Sequence, residues 1–255
     1  MRYGLIGEKL GHSYSKIIHE RIINENYDLI PLSMNEFDDF MKRKEFAGIN
    51  VTIPYKQKVI AYLDELDPLA QKIGAVNTVV NNSGRLRGYN TDYYGLLYLF
   101  NRNNIMAEHK KCLILGSGGT SKTARAVLES LGAEKIITVS RHPEGHSVSY
   151  EECYKNHRDA GIIVNTTPVG MYPNVNASPL DLTPFKSCVA VVDVIFNPIK
   201  TVLAKEAEGL GIKAVTGLAM LVAQAKQAEE IFRGIKLDDG IIEIITHELM
   251  ERLNC

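Results

Sequence analysis

Gly116, Ser117, Gly118, Gly119 and Thr120 stand between an apolar run, Cys112 to Leu115, and a helix-compatible segment. At a strand-to-helix turn, glycines let the backbone take positive φ and let a pyrophosphate approach closely, with the amides of the helix N-terminus facing the anion. Ser121 fills the third, small-residue slot of a GxGxxG spacing, where packing of helix on strand requires a short side chain. A glycine turn that holds no ligand is the competing reading of these residues. A second apolar run, Lys135 to Val139, closes a βαβ unit, and its end carries Ser140, Arg141 and His142. An Asp or Glu at that place accepts from a free ribose 2′-hydroxyl, whereas Arg141 pairs with a 2′-phosphate through a charge-assisted fork. The segment therefore predicts NADP rather than NAD, against the alternative that Arg141 is only a solvated surface cation.

A second group of polar side chains lies in the first hundred residues. Gly11 to Ser15 follows the first strand-like run, and Ser13 and Ser15 offer two hydroxyls to a ligand, unless one of them only caps the helix beginning near Lys16. His12 reads as an exposed loop residue. Asn50 and Thr52 sit at the end of a third strand, with Pro54 suited to the first turn of a helix and Lys56 about half a turn inside it. The first two are neutral hydrogen-bonding groups, and Lys56 is a cation able to bind an oxygen or exchange a proton with it; a capping Thr and a solvated Lys is the other reading. Asn77 is a lone amide in the apolar run Gly74 to Val80, so it is either locked into backbone hydrogen bonds or held for a ligand. Thr91 or Asp92 reads as the cap of a helix from Tyr93 to Asn104. Further on, Thr166, Thr167 and Pro168 form a turn at a strand end that either shapes a cofactor crevice or is turn chemistry alone. Gly217 opens a helix on which Met220 and Gln224 share a stripe beside the apolar one, facing a cleft or filling the core.

The elements that must position these residues alternate. Strand-like Arg2 to Ile6, Tyr27 to Leu32 and Ala47 to Val51 are separated by helical Ser15 to Asn26 and Asn35 to Lys44, an α/β pattern that implies a mostly parallel sheet. Gly161 to Val164, Val189 to Ile195 and Lys213 to Val215 continue it, and a last helix after Asp238 and Asp239 carries Ile241, Ile242, Ile245 and Leu249 back to the first domain. A length of 255 residues suits two modest domains, read as 1–100 with 236–255, and a Rossmann-type dinucleotide domain over 101–235. With 29 basic and 30 acidic residues the net charge is −1, so no overall field attracts nucleic acid or an anionic membrane. Four scattered cysteines without a CxxC pair argue against a zinc cage or disulfide framework and fit a reducing cytoplasm. Cys153 and His157, four apart and without further ligands, do not make a metal site. No signal-peptide pattern and no bilayer-length apolar run is present.

In their order, His12-Ser13-Tyr14-Ser15, Asn50 to Lys56, Gly74 to Thr78, Asn90-Thr91-Asp92, Gly116 to Gly119, Asn165 to Met171 and Gln224 resemble the shikimate dehydrogenase family over nearly the whole chain. The resemblance implies an N-terminal α/β substrate domain, completed by the C-terminal helix, and an NADP-binding Rossmann domain. It implies reversible NADPH-dependent reduction of 3-dehydroshikimate to shikimate without a metal. Ser13 and Ser15 would hold the substrate carboxylate, Asn50, Thr52, Asn77, Asp92 and Gln224 its ring, and Lys56 with Asp92 would form the catalytic pair. Gly116 to Thr120, Ser140, Arg141, Thr166, Pro168, Gly217 and Met220 would meet NADP. Three positions depart from the family's pattern: Phe196 stands for a common Tyr, Ser140 for Asn and His142 for Thr. A quinate/shikimate dehydrogenase with relaxed cofactor use, or a non-catalytic dinucleotide sensor, are the alternatives, and a monomer or homodimer is expected.

Overall fold

The computed structural model describes residues 2–11 and 13–254, so the reading of His12 lies outside the described residues. The chain divides into two compact units, Met1–Gly95 with Val222–Ile245, and Leu96–Leu221 with Thr246–Cys255.

In the first unit the chain runs β1 (Tyr3–Gly7), α1 (Ser15–Ile23), β2 (Asp28–Pro31), α2 (Met34–Arg43), β3 (Gly48–Val51), β4 (Glu65–Leu66), α3 (Pro68–Ile73), β5 (Thr78–Asn82) and β6 (Arg85–Tyr89), then enters α4 (Thr91–Arg102). Its six strands lie in the order β2-β1-β3-β5-β6-β4. β1 pairs in parallel with β2 and β3, and β4 with β6, whereas β3, β5 and β6 run antiparallel to one another in turn. The reversal between β5 and β6 is a two-residue hairpin in which Ser83 and Gly84 both take positive φ, as the twist of the flanking strands demands. α2 opens with a capping box from Ser33 and Glu36. It buries Phe37 and Met41 on Ile6, Ile49, Val51, Val79 and Leu86, and the Phe37 ring stacks on Tyr55 at 4.2 Å. A second cluster joins Leu5, Leu10 and Tyr27 to Ala228 and Phe232. Gly48 permits this, because a Cβ there would lie 2.4 Å from the Phe232 ring.

Three local expectations are corrected. Pro54 does not open a helix: residues 53–57 form successive turns and the short 3₁₀ segment starts at Lys58. The Lys56 carbonyl accepts from the Val76 amide at 2.8 Å, so it is taken by the segment between α3 and β5 rather than by the next helical turn. The run Gly74 to Val80 is not all strand, because Gly74 at φ 69° closes α3 and β5 begins at Thr78. Neither Thr91 nor Asp92 supplies the cap expected of α4; Asn90 Oδ1 accepts from the Tyr93 amide at 3.1 Å, which leaves the Asp92 carboxylate for other partners.

The second unit runs β7 (Lys111–Leu115), α5 (Gly119–Ser130), β8 (Lys135–Val139), α6 (Tyr150–Asn156), β9 (Ile162–Asn165), β10 (Ala190–Asp193), α7 (Val202–Gly209) and β11 (Lys213–Thr216), and holds the beginning of α8 (Leu218–Arg233) and the end of α9 (Gly240–Asn254). The sheet is wholly parallel, in the order β11-β10-β9-β7-β8. Its strands are continuous apolar runs, as a sheet covered on both faces requires. Cys112 on β7, Cys153 on α6 and Cys188 before β10 are unpaired and buried.

Asp193 ends β10 completely buried, its carboxylate accepting from the Ile195 amide, Asn165 Nδ2 and the Thr201 hydroxyl. Burial outweighs these donors and lifts the carboxyl from 3.8 to about 6. The folded chain therefore holds this proton more tightly than the unfolded chain, and the contribution favours folding below the ordinary value and is lost as pH rises through about 6. Asp193→Asn keeps the acceptor for Ile195 and Asn165 and offers Thr201 Oγ1 a donor. We expect it to exceed the parent in stability by on the order of 2 kcal/mol at neutral pH, with the gap opening between about pH 4 and 7 in urea denaturation. A gap that stays constant across that range would remove the carboxyl from the pH dependence.

Candidate active site

The turns after β3, the residue before β5, the head of α4 and α8 bring together five residues of the first unit from four separate stretches of the chain. Lys56 Nζ is 2.5 Å from Asp92 Oδ2, with the two side chains 16% and 10% exposed. The other oxygen of Asp92 accepts from Asn77 Nδ2 at 2.9 Å. Which end of the Asn77 amide is oxygen follows from the Thr91 backbone N–H, which can only donate and reaches Asn77 Oδ1 at 2.7 Å. Gln224 Oε1 completes the group, 3.4 Å from the Thr91 hydroxyl and 3.5 Å from Asn77 Nδ2. An ammonium held by a carboxylate whose second oxygen is fixed by an amide is a group ready to give a proton to, or take one from, an oxygen placed beside it.

The remaining expected substrate residues fall around this group or on neighbouring strand ends of the same unit. Asn50, 4% exposed, gives its two N–H bonds to Thr78 Oγ1 and to the Asn77 carbonyl and accepts from the Tyr27 hydroxyl, which leaves one lone pair on Oδ1. Thr52 follows β3, its amide bonded to the Ile6 carbonyl at 2.9 Å and its side chain half-buried. Ser13 is half-buried and Ser15 buried at the head of α1. The N-cap position of α1 is Tyr14, without a side-chain cap, so neither serine caps the helix; the Ser13 hydroxyl oxygen accepts from the Ser15 amide at 3.2 Å and keeps its own proton to donate.

In the second unit the expected nucleotide residues gather at the C-terminal ends of adjacent strands. Gly116 follows β7, Ser140 and Arg141 follow β8, and Thr166 and Pro168 follow β9. Gly116 alone of the three loop glycines takes positive φ, at 104°, which corrects the expectation for Gly118 and Gly119; the Thr166 hydroxyl donates to the Leu115 carbonyl at 2.6 Å and would stand 2.9 Å from a Cβ at Gly116. Gly118 is extended, with open space where a Cβ would stand, and Gly119 and Thr120 begin α5 with first-turn amides that have no partner within the helix. No acidic residue occurs from Gly116 to Arg125, while Lys122 and Arg125 do. Open backbone, outward amides and this charge fit a dinucleotide pyrophosphate. Ser140 is 7% exposed; its hydroxyl bonds the amide and carbonyl of His142 and lies 3.4 Å from Ser117 Oγ, so it shapes the turn that presents exposed Arg141. Gly217 follows β11, two strands beyond β9, with its amide on the Ile195 carbonyl, and Met220 is 6% exposed on the next turn. Among the described residues no group of three or more His, Cys, Asp or Glu is placed to hold a metal ion, and no helix is long and apolar enough to cross a membrane.

Residues 5–79 match the family profile for the shikimate dehydrogenase substrate binding domain. A shikimate dehydrogenase (NADP(+)) of Clostridium perfringens is 39% identical over 264 residues, covering 97% of each chain. The chain belongs to the shikimate dehydrogenase family. Among solved structures, a shikimate dehydrogenase of Peptoclostridium difficile superposes with a TM-score of 0.92 at 37% identity over 99% of both chains. The enzyme of Thermus thermophilus in complex with NADP(H) and shikimate does so with a TM-score of 0.86 at 31% identity, over 97% of this chain and 99% of that one.

Two residues bonded into the polar group carry no signal of their own in the sequence: Thr78 reads as an ordinary β-branched strand residue, and Tyr27 as the start of a strand. A buried hydroxyl declares itself only once its neighbours are known.

Proposed function

We propose that the protein catalyses the reversible, NADPH-dependent reduction of 3-dehydroshikimate to shikimate. What carries this reading is the contact of Lys56 with Asp92 at 2.5 Å, in a family whose curated relative bears that activity in its name. The hydroxyls of Ser13 and Ser15, at the positive end of α1, suit a carboxylate. Thr52, Asn77, Asp92 and Gln224, with the last lone pair of Asn50, suit the ring hydroxyls. When bound, the dinucleotide supplies the hydride in reduction and takes it back in oxidation. Lys56 gives the ketone oxygen its proton in the forward direction and receives it in reverse, while Asp92 orients the ammonium and accepts from a neighbouring hydroxyl. The amides of Ser117 to Thr120 suit the pyrophosphate, Arg141 on the Ser140 turn the 2′-phosphate, and Thr166, Pro168, Gly217 and Met220 the nicotinamide end. With this reading go a cytoplasmic location, no metal, no nucleic-acid or membrane partner, and a monomer or homodimer.

The direct test is addition of shikimate to the protein with NADP while absorbance of the reduced nicotinamide is followed; no change over that of NADP alone would end the proposal. Arg141→Gln tests the cofactor half. A charge-assisted bond to the 2′-phosphate contributes about 1.5–3 kcal/mol, so the KM for NADP should rise about 10–100-fold while that for NAD stays put. Equal changes for the two nucleotides would take Arg141 away from the phosphate.

A further inference from the structure

Resting on that reading of the site, we infer that Tyr27 and Thr78 are positioning residues for Lys56 and Asp92, acting through the carboxamides of Asn50 and Asn77. Neither residue presents a polar atom to a ligand: Tyr27 is 1% exposed and Thr78 completely buried. Each is a link in an unbroken series of hydrogen bonds that ends on the Asp92 carboxylate. The Tyr27 hydroxyl donates to Asn50 Oδ1 at 2.7 Å, and Asn50 Nδ2 donates to Thr78 Oγ1 at 3.0 Å. Having accepted there, Thr78 directs its own proton to Asn77 Oδ1 at 3.2 Å or to the Thr91 hydroxyl at 3.1 Å. Thr91 in turn holds Asn77 Oδ1 through its amide, and Asn77 Nδ2 holds Asp92. Every group in the series is buried, so a reversed amide or rotated hydroxyl would leave a donor or acceptor unmet at a cost of about 1–3 kcal/mol. Both placements of the Thr78 proton require the same orientation of the Asn77 amide, the one that aims its N–H at Asp92.

The far end of the series is anchored as firmly. The Tyr27 ring lies flat on His19, 3.9 Å between centroids and 7° apart. His19 Nδ1 is 2.6 Å from Glu229 Oε1, and Glu229 Oε2 accepts from Arg233 Nε at 2.9 Å. The ring is thus fixed in rotation by a buried ionic group on α8, the helix that also carries Gln224. Burial also raises the phenol well above its ordinary pKa, which keeps the hydroxyl proton in place for Asn50.

Thr78→Val removes the hydroxyl at nearly constant volume, and Thr78→Ser returns it. We expect Thr78→Val to lower kcat about 10-fold, more than it raises the KM for shikimate, because misplacing a reacting group costs turnover first. The dissociation constant of NADP should not move. Thr78→Ser should recover kcat to within about twofold of the parent, since the hydrogen bonds return without the methyl group. A Thr78→Val enzyme that keeps parental kcat, or a Thr78→Ser enzyme as impaired as Thr78→Val, overturns the inference; the second result would assign the effect to packing. If Thr78→Val does not fold, Tyr27→Phe carries the same test, with kcat again expected to fall more than KM rises, and unchanged kcat as the refuting result. A parent that does not oxidise shikimate would sink the functional reading and this inference with it, whereas an active parent with indifferent variants would sink this inference alone.

Discussion

Lys56→Ala is expected to lower turnover about 10²–10⁴-fold, the range a placed proton donor contributes, while the affinity for NADP stays near that of the parent. The ammonium sits 2.5 Å from Asp92 Oδ2 and is mostly shielded from water, so solvent cannot readily replace it at the reacting oxygen. Asp92 cannot take over, because its remaining oxygen is held by Asn77 Nδ2 and a carboxylate in that setting accepts rather than donates. Lys56→Arg should fare little better: the guanidinium keeps its proton at any working pH and is planar where the ammonium is compact. The check is the rate of reduced-nicotinamide formation with shikimate, alongside nucleotide binding followed by fluorescence. Turnover within about threefold of the parent would exclude Lys56 from proton transfer, since that is below the smallest contribution such a group makes.

The second large effect concerns stability. Glu229→Ala should destabilise the protein by about 3–5 kcal/mol, seen as a lower urea midpoint, because it strips a buried ionic group of its central carboxylate. Glu229 is 1% exposed and holds His19 with one oxygen and Arg233 with the other. Burial keeps His19 below the ordinary imidazole range against the opposing pull of Glu229, so the ring is neutral at pH 7 and Nδ1 is the donor to the carboxylate. His19 Nε2 has no hydrogen-bond partner, so the imidazole depends on Glu229 alone for its polar contacts. Arg233 would retain Glu25, whose side chain is 57% exposed and holds it weakly, and the face of the Tyr3 ring at 4.7 Å. Glu229→Gln, which keeps an acceptor, should lose less. A loss below about 1 kcal/mol for the Ala variant would mean the group contributes no more than a surface pair.

The second unit was readable in the residues themselves. Lys135 to Val139 is a strand with the expected limits, and the apolar runs on either side of it are strands because a parallel sheet covered on both faces needs no alternation. The glycine turn between strand and helix was legible in the same way, although of its three glycines only Gly116 takes positive φ. The first unit was harder. Pro54 and Gly74 are each compatible with two local structures: Val76 claims the Lys56 carbonyl, and Gly74 ends α3, although the apolar residues that follow it suggest a strand beginning there. The pairing of Lys56 with Asp92, 36 residues apart, has no signal in spacing and was expected only through the family resemblance. Thr78 and Tyr27 stayed hidden for the same reason, since a hydrogen-bond partner across a sheet leaves no trace in either residue's neighbours.

The first unit is drawn from two widely separated stretches of the chain, and that bears on how the protein is made. When Gly95 leaves the ribosome, the hollow above Gly48 still lacks Phe232 and His19 still lacks Glu229. More than a hundred further residues must be synthesised before α8 arrives to close that face. During translation the nascent N-terminal segment therefore carries an open apolar surface and an unpaired imidazole, whereas the parallel sheet of the second unit is assembled from one continuous stretch.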